Sequence, residues 1–93
     1  MSGVEYTQAD VQDALREAVN GTRTPAEAPT VEQRQKAMSA LRSMGFDALT
    51  LQDATGVAES TWTNYEAGRS GGPIYEGLLR RVVAVGEFVA DRG

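Results

Sequence analysis

The chain has 93 residues, enough for one helical domain with a single core, and it contains neither cysteine nor histidine. Disulfides, thiolate metal sites and imidazole catalysis are therefore excluded, and we predict a protein that is not an enzyme and that has no cofactor and no metal site. No apolar run approaches the roughly twenty residues that span a bilayer, and no signal-peptide core follows the N-terminus. We therefore expect a cytoplasmic protein.

The formal charge of −4 is unevenly distributed along the chain. Residues 1–30 carry −3, whereas residues 31–93 hold eight acids and seven bases and carry −1. DNA-binding domains are usually basic, because neutralising phosphates supplies much of their affinity. The second segment is nearly neutral, and the placement of five of its bases could still make one face positive: Arg34, Lys36, Arg69, Arg80 and Arg81.

Residues 6–19 are predicted to form an amphipathic helix. Thr7 is a suitable N-cap with Asp10 three residues later, and Asn20 with Gly21 ends the helix. Its apolar stripe consists of Val11, Ala14, Leu15, Ala18 and Val19. The stripe must be buried, either on the helix's own domain or in an interface with a second copy or another protein.

A linker and a second helix follow. Residues 20–30 contain two prolines, which favour extended backbone. Thr30 and Gln33 have the spacing of a capping box and predict a helix over residues 31–44, which Gly45 ends and Phe46 anchors. The residues expected to face inward are Val31, Gln35, Met38 and Leu41, with Ala37 and Met44 at the edge of that face.

Two short helices around a tight turn come next, over residues 47–69. Asp47 is expected to cap the first helix, in which Leu51 and Ala54 face inward, and Gly56 ends it in the left-handed conformation. The second helix spans residues 59–67, with Trp62 and Tyr65 inward. Its outward residues are small and polar: Glu59, Ser60, Thr63, Asn64 and Ala67.

The last helix is predicted from Ile74 to about Ala90, after the stretch EAGRSGGP, residues 66–73, a loop with three glycines. Its apolar residues cover more than one helical face, which indicates deep burial or an apolar strip that pairs with a second subunit. They are Leu78, Leu79, Val82, Val83, Val85, Phe88 and Val89.

The string GVAESTWTNYEAGR, residues 56–69, resembles the turn and recognition helix of the Xre, Cro and phage-repressor family of helix-turn-helix proteins. The matching positions in it are Gly56, Val57, Ser60, Thr61, Trp62, Tyr65, Glu66, Gly68 and Arg69. Gly45, eleven residues before Gly56, and a later set of Pro73, Leu78, Leu79 and Gly86 extend the resemblance over about residues 31–86.

The chain departs from the family pattern at three places. Gln52 stands where the family usually has alanine, and Thr55 where leucine is common, so we expect looser packing there or side-chain hydrogen bonds to the backbone. The family often pairs an arginine of its first helix with the glutamate that here is Glu66. The register puts Leu41 at that position and Arg42 one residue away, which leaves the pairing open.

The resemblance implies an all-α, five-helix lambda-repressor-like helix-turn-helix fold with an extra N-terminal amphipathic helix. Residues 1–30 would hold that helix and the linker, and residues 31–93 the helix-turn-helix DNA-binding domain. It implies a small dimeric transcriptional regulator, repressor-like and of phage or plasmid type, that binds double-stranded DNA. Ser60, Thr63 and Asn64 would then meet base edges, Asn64 being able to bond adenine through two hydrogen bonds. Phosphates would be held by Thr61, Arg69 and the N–H groups at the starts of the motif helices, such as that of Ala48.

A protein-interaction module is the alternative to a regulator. The same fold serves, for instance, as the antitoxin of a toxin-antitoxin pair, and the acidic N-terminal helix would suit a basic protein partner. A homodimer interface is expected on the helix after Pro73, on the N-terminal helix, or on both, because one recognition helix reads only a few base pairs.

Overall fold

The computed structural model describes residues 7–21 and 24–92. These residues contain five α-helices and no strand. The all-α prediction is confirmed, and in this part of the chain no helix is long and apolar enough to cross a membrane. The helices are α1 (Gln8–Asn20), α2 (Val31–Ser43), α3 (Ala48–Thr55), α4 (Glu59–Glu66) and α5 (Glu76–Arg92).

The first two helices begin at the predicted capping boxes. The Thr7 hydroxyl accepts from the Asp10 N–H at 3.2 Å, and the Asp10 carboxylate accepts from the Thr7 N–H at 3.1 Å. Thr30 and Gln33 make the same pair of bonds at the start of α2, with distances of 3.1 and 2.8 Å. Each box satisfies N–H groups that have no partner inside the helix. Tyr6, the predicted first residue of the N-terminal helix, lies outside the described residues.

The core lies where α1 and α2 pack along α5, and it extends to α3, which packs on α1, and to α4, which packs on α2 and α3. Val11, Leu15 and Ala18 are buried in it, so most of the apolar stripe of α1 packs on its own domain, while Ala14 and Val19 are half-buried. The buried apolar residues are Val11, Leu15, Ala18, Ala37, Met38, Leu41, Phe46, Leu51, Val57, Trp62, Tyr65, Leu79, Val82, Val83 and Val89.

Two arginines of α5 bind the end of α1 and the linker that follows it. Arg81 donates through Nε to the carbonyl of Ala18 at 2.6 Å and through Nη1 to the hydroxyl of Thr24 at 2.8 Å. Arg80 donates to the carbonyls of Pro25 and Ala26, each at 3.3 Å. These bonds give partners to backbone carbonyls that no secondary structure satisfies.

Two predicted inward positions of α2 are wrong. Val31 is 42% exposed, and Gln35 is exposed as well. The inward stripe instead passes from Arg34 to Met38 and Leu41, with Arg34 half-buried. The inner position is therefore Arg34 and not Gln35, one residue later. Arginine can occupy it because the apolar part of its long side chain packs there while its guanidinium bonds to carbonyl groups.

The inward position of Ala54 and the start of the last helix are also wrong. Ala54 is exposed, since the inner face of α3 consists of Leu51 with the half-buried Gln52 and Thr55. The last helix begins at Glu76 rather than Ile74, because the Tyr75 N–H donates to the Gly72 carbonyl at 3.3 Å and closes a turn there. Ile74 is 88% exposed in that turn.

Gly56 has the predicted left-handed conformation, with φ of +79°, between α3 and α4. A Cβ at this position would meet no atom within 4 Å, so the cost of a side chain is that of the backbone conformation alone. We expect Gly56→Val to lower the free energy of unfolding by about 1 to 2 kcal/mol, because a β-branched residue is strained at positive φ. Thermal unfolding checks this. Gly56→Asn should cost less, and equal stability of Gly56→Val and wild type would contradict the turn.

Candidate nucleic-acid interface

The corner between α3 and α4 is fixed by backbone hydrogen bonds and one buried side chain. The Asp47 carboxylate accepts from the Thr50 N–H at 2.9 Å and begins α3, and the Gly56 N–H donates to the Gln52 carbonyl at 2.8 Å and ends it. Val57, fully buried, follows directly and anchors the corner in the core. The start of α4 therefore has a defined position relative to α3.

The two polar residues at the α3–α4 seam satisfy their polar atoms locally, as the sequence led us to expect. Gln52 accepts through Oε1 from the Glu59 N–H at 2.8 Å. This bond caps α4, whose N-cap residue Ala58 offers no side-chain acceptor. The Thr55 hydroxyl donates to the Leu51 carbonyl at 2.6 Å and accepts from the Val57 N–H at 3.2 Å. Gln52 and Thr55 thus stabilise the corner through hydrogen bonds.

The inner face of α4 consists of Trp62 and Tyr65, each 1% exposed, as predicted. Their indole Nε1 and hydroxyl atoms are buried, and neither has a hydrogen-bond partner among the described residues. Burial raises the pKa of Tyr65, and the carboxylate of Glu76 raises it further. Both aromatic residues therefore act as core, and the hydroxyl of Tyr65 remains neutral.

Tyr65→Phe is expected to raise the free energy of unfolding by about 1 kcal/mol, because a buried hydroxyl without a partner costs free energy. For a domain of this size, that gain corresponds to an increase in melting temperature of roughly 4 to 8 °C. The Cζ atom of Arg34 lies 4.1 Å from the centroid of the Tyr65 ring, and phenylalanine would keep this contact. A lower melting temperature for Tyr65→Phe would show that the hydroxyl has a stabilising partner.

The outward face of α4 carries the residues predicted to meet base edges. Ser60 and Thr63 are exposed and Asn64 is half-exposed, so all three side chains lie on the surface of this helix. The Thr63 hydroxyl donates to the Glu59 carbonyl one turn earlier, at 3.1 Å. The helix ends at Glu66, and Ala67, predicted as its last residue, is its C-cap.

The predicted phosphate contacts differ in their surroundings. Thr61 is half-buried and Arg69 is exposed beside the end of α4, where its guanidinium donates to the amide oxygen of Asn64 at 3.0 Å. Ala48 is half-buried at the start of α3, next to the Asp47 carboxylate. The hydrogen bond from the Thr50 N–H is the main reason that the pKa of Asp47 lies below its usual range. A negative charge already occupies that helix end, which weakens the case for a phosphate at Ala48.

Arg34 holds the C-terminal end of α4 from inside the domain. Its Nη1 donates to the carbonyls of Tyr65 at 3.2 Å and of Arg69 at 3.4 Å, and its Nε donates to that of Pro29 at 3.2 Å. Sequence reasoning placed Arg34 only among bases that could make a positive face. The structure gives it a positioning role, because one guanidinium joins the linker, the recognition-helix candidate and the loop after it.

The pairing of α2 with α4 that the sequence left open is present. Arg42 donates to both carboxylate oxygens of Glu66, at 2.6 and 2.9 Å. The hydrogen bond to Glu66 is also the main cause that raises the pKa of Arg42. The Arg42 side chain is about half exposed, so this two-bonded pair contributes up to about 1 kcal/mol. It also neutralises Glu66 beside the candidate interface.

All five bases named in the sequence for a positive face have partners within the fold, Arg69 through the amide oxygen of Asn64. Arg34, Arg80 and Arg81 donate to backbone carbonyls, and Lys36 pairs with Asp91 at 3.0 Å. Residues 47–69 contain four acids against the single base Arg69. The candidate interface therefore has little positive charge of its own, and the polar groups that it exposes are hydroxyl, amide and guanidinium groups.

Among the described residues, no cluster of three or more acidic side chains could hold a metal ion. Comparisons of the chain with protein-family models, with curated proteins and with solved structures give no match.

Proposed function

We propose that this chain is a sequence-specific binder of double-stranded DNA that places α4 in the major groove. The observation that carries the proposal is the geometry of α3 and α4. Two eight-residue helices meet at a left-handed glycine, bury Trp62 and Tyr65 beneath, and present Ser60, Thr63 and Asn64 outward. An α-helix fits the major groove, and short polar side chains at its surface can reach base edges.

The low positive charge of the interface determines where its affinity for DNA would come from. General attraction to phosphates is weak for a chain of charge −4, so binding to unrelated DNA should be poor. Affinity for the correct sequence must then come from direct contacts of the α4 side chains with bases. The Arg42–Glu66 pair supports this by removing one uncompensated carboxylate from the groove-facing helix.

A homodimer on a palindromic site completes the proposal. One α4 spans eight residues and reads only a few base pairs, so useful specificity requires two half-sites related by two-fold symmetry. The surface we assign to the second copy is the apolar groove between α1 and α5, with a volume of about 320 Å³. It is lined by Val11, Ala14, Ala84, Val85, Phe88 and Val89. A small transcriptional regulator, repressor-like in type, is the role that fits such binding.

Asn64→Ala tests the proposed face. We expect this variant to lose about 1 to 3 kcal/mol of binding free energy on its preferred duplex and to keep its weak binding to unrelated duplexes, as the loss of a base contact should. Fluorescence anisotropy at several salt concentrations measures both quantities. Gln12→Ala, on the exposed side of α1, is the control and should bind like wild type. Equal affinities of Asn64→Ala and wild type would show that α4 does not read bases.

A protein-interaction module remains the second candidate, and the excess of acids in residues 47–69 favours it. In that role the acidic surface would neutralise a basic partner, as an antitoxin does its toxin. A toxin coding frame beside the gene, and co-purification with its product, would support this function. A salt-dependent gel shift with the DNA upstream of the gene would support the regulator.

A further inference from the structure

The end of α4 has the backbone pattern of a Schellman motif. The Gly68 N–H donates to the Tyr65 carbonyl at 3.1 Å, and the Arg69 N–H donates to the Asn64 carbonyl at 2.9 Å. Gly68 has φ of +95°, the left-handed conformation that this motif needs. The motif turns the chain back over the last turn of the helix, so Arg69 lies beside Asn64 although the two are five residues apart.

In Schellman motifs the two residues brought together in this way frequently make an apolar contact. Here they are both polar, and Arg69 donates through Nη1 to the Asn64 Oδ1 at 3.0 Å. Arg34 supports the arrangement from below, because it donates to the carbonyls of Tyr65 and Arg69 on either side of the turn. The backbone of both partners is therefore held in place before any ligand arrives.

We infer that Asn64 and Arg69 form one composite reader of guanine, an inference that rests on the DNA-binding function proposed above. With the amide oxygen bonded to Arg69, the pair presents the Nδ2 hydrogens of Asn64 and the remaining guanidinium hydrogens, which are all donors. In the major groove guanine offers two acceptors, N7 and O6, whereas adenine offers the acceptor N7 and a donor amino group at N6. A surface of donors alone complements guanine.

The same contact disfavours adenine. A free asparagine binds adenine by donating to N7 and accepting from the N6 amino group. In this chain the accepting oxygen lies against a guanidinium, so an adenine amino group would be brought next to a positive charge. Arg69 thus sets the base preference of Asn64 in addition to contacting DNA itself. Removing Arg69 should release the amide oxygen and let Asn64 bind adenine.

Selection of bound sequences from random duplex DNA tests the inference with the full chain and two variants, Asn64→Ala and Arg69→Ala. The position in the selected sequence that loses its preference in Asn64→Ala identifies the base that the pair contacts. At that position we expect wild type to prefer guanine over adenine by about 5- to 150-fold, and Arg69→Ala to prefer adenine. Arg69→Lys, which keeps a charged donor beside Asn64, should retain guanine.

Arg16→Ala is the matched control, because Arg16 is an exposed arginine of α1 whose partner is Asp13 on the same helix. Its selected sequences should equal those of wild type. Adenine at the identified position in wild type, or an unchanged base preference in Arg69→Ala with weaker binding to all sequences, would overturn the composite reader while leaving DNA binding in place. Enrichment of no sequence by wild type would overturn the DNA-binding function itself and the reader with it.

Discussion

Leu15→Ala should lower the free energy of unfolding by about 2 to 5 kcal/mol. Leu15 lies on α1 and is completely buried against the rest of the domain, so truncation leaves a cavity in addition to the lost burial of its own atoms. Such a loss is a large fraction of the stability of a small domain, and at the upper end of the range the variant would be substantially unfolded at room temperature. Urea unfolding followed by circular dichroism measures the change.

Leu49→Ala is the matched control for this prediction. Leu49 lies on α3 and is 53% exposed, so the same truncation should change the free energy of unfolding by less than about 0.5 kcal/mol. If Leu15→Ala were equally mild, α1 would not be part of the core. Its apolar stripe would then be available to a partner, which is the alternative that the sequence left open.

Gly86→Ala is the second substitution with a large expected effect, a net loss of about 1 to 2 kcal/mol in the free energy of unfolding. A Cβ at Gly86 would lie 2.7 Å from both the Cβ and the carbonyl oxygen of Ala37, so α5 and α2 must move apart to admit it. Overpacking of this kind typically costs about 1 to 3 kcal/mol, and backbone atoms give way less easily than side-chain ends. The cost should exceed the gain in helix propensity of up to about 1 kcal/mol that alanine brings.

Gly77→Ala provides the comparison within α5. A Cβ there would lie 3.3 Å from Nη1 of Arg81, the end of a flexible side chain, and its next neighbours outside the helix backbone are side-chain atoms of Thr24. Its melting temperature should equal or exceed that of wild type, because alanine has the higher helix propensity, whereas Gly86→Ala should melt about 4 to 16 °C lower. Similar melting temperatures for the two variants would mean that α2 and α5 do not approach each other as closely as the structure has them.

The sequence predicted those features of the fold that depend on residues close together in the chain. The capping boxes at Thr7 and Thr30, the left-handed Gly56 and the inward side of Trp62 and Tyr65 each depend on residues within one or two turns of one another, and all are present. The number of helices follows from such signals as well. The helix start predicted at Ile74 failed because the Gly72–Tyr75 turn delays it.

The features that sequence reasoning missed depend on contacts between distant elements. Arg34 occupies an inner position of α2 because the Tyr65 ring and three carbonyls are there to receive it, and no pattern within α2 shows this. The bond between Arg69 and Asn64 was missed for a different reason. The sequence assigned them separate roles from their positions in the motif, whereas the backbone turn at Gly68 brings them together.

The measurement that tests the central claim most directly is the selection of wild-type targets from random duplex DNA, with the mass of the resulting complex read by light scattering. The account predicts an enriched sequence with two inverted copies of a short motif, bound by two copies of the chain, because two α4 helices related by symmetry would read it. Failure to enrich any sequence over the starting pool would contradict the account, and a single chain bound to one unrepeated motif would contradict its dimer.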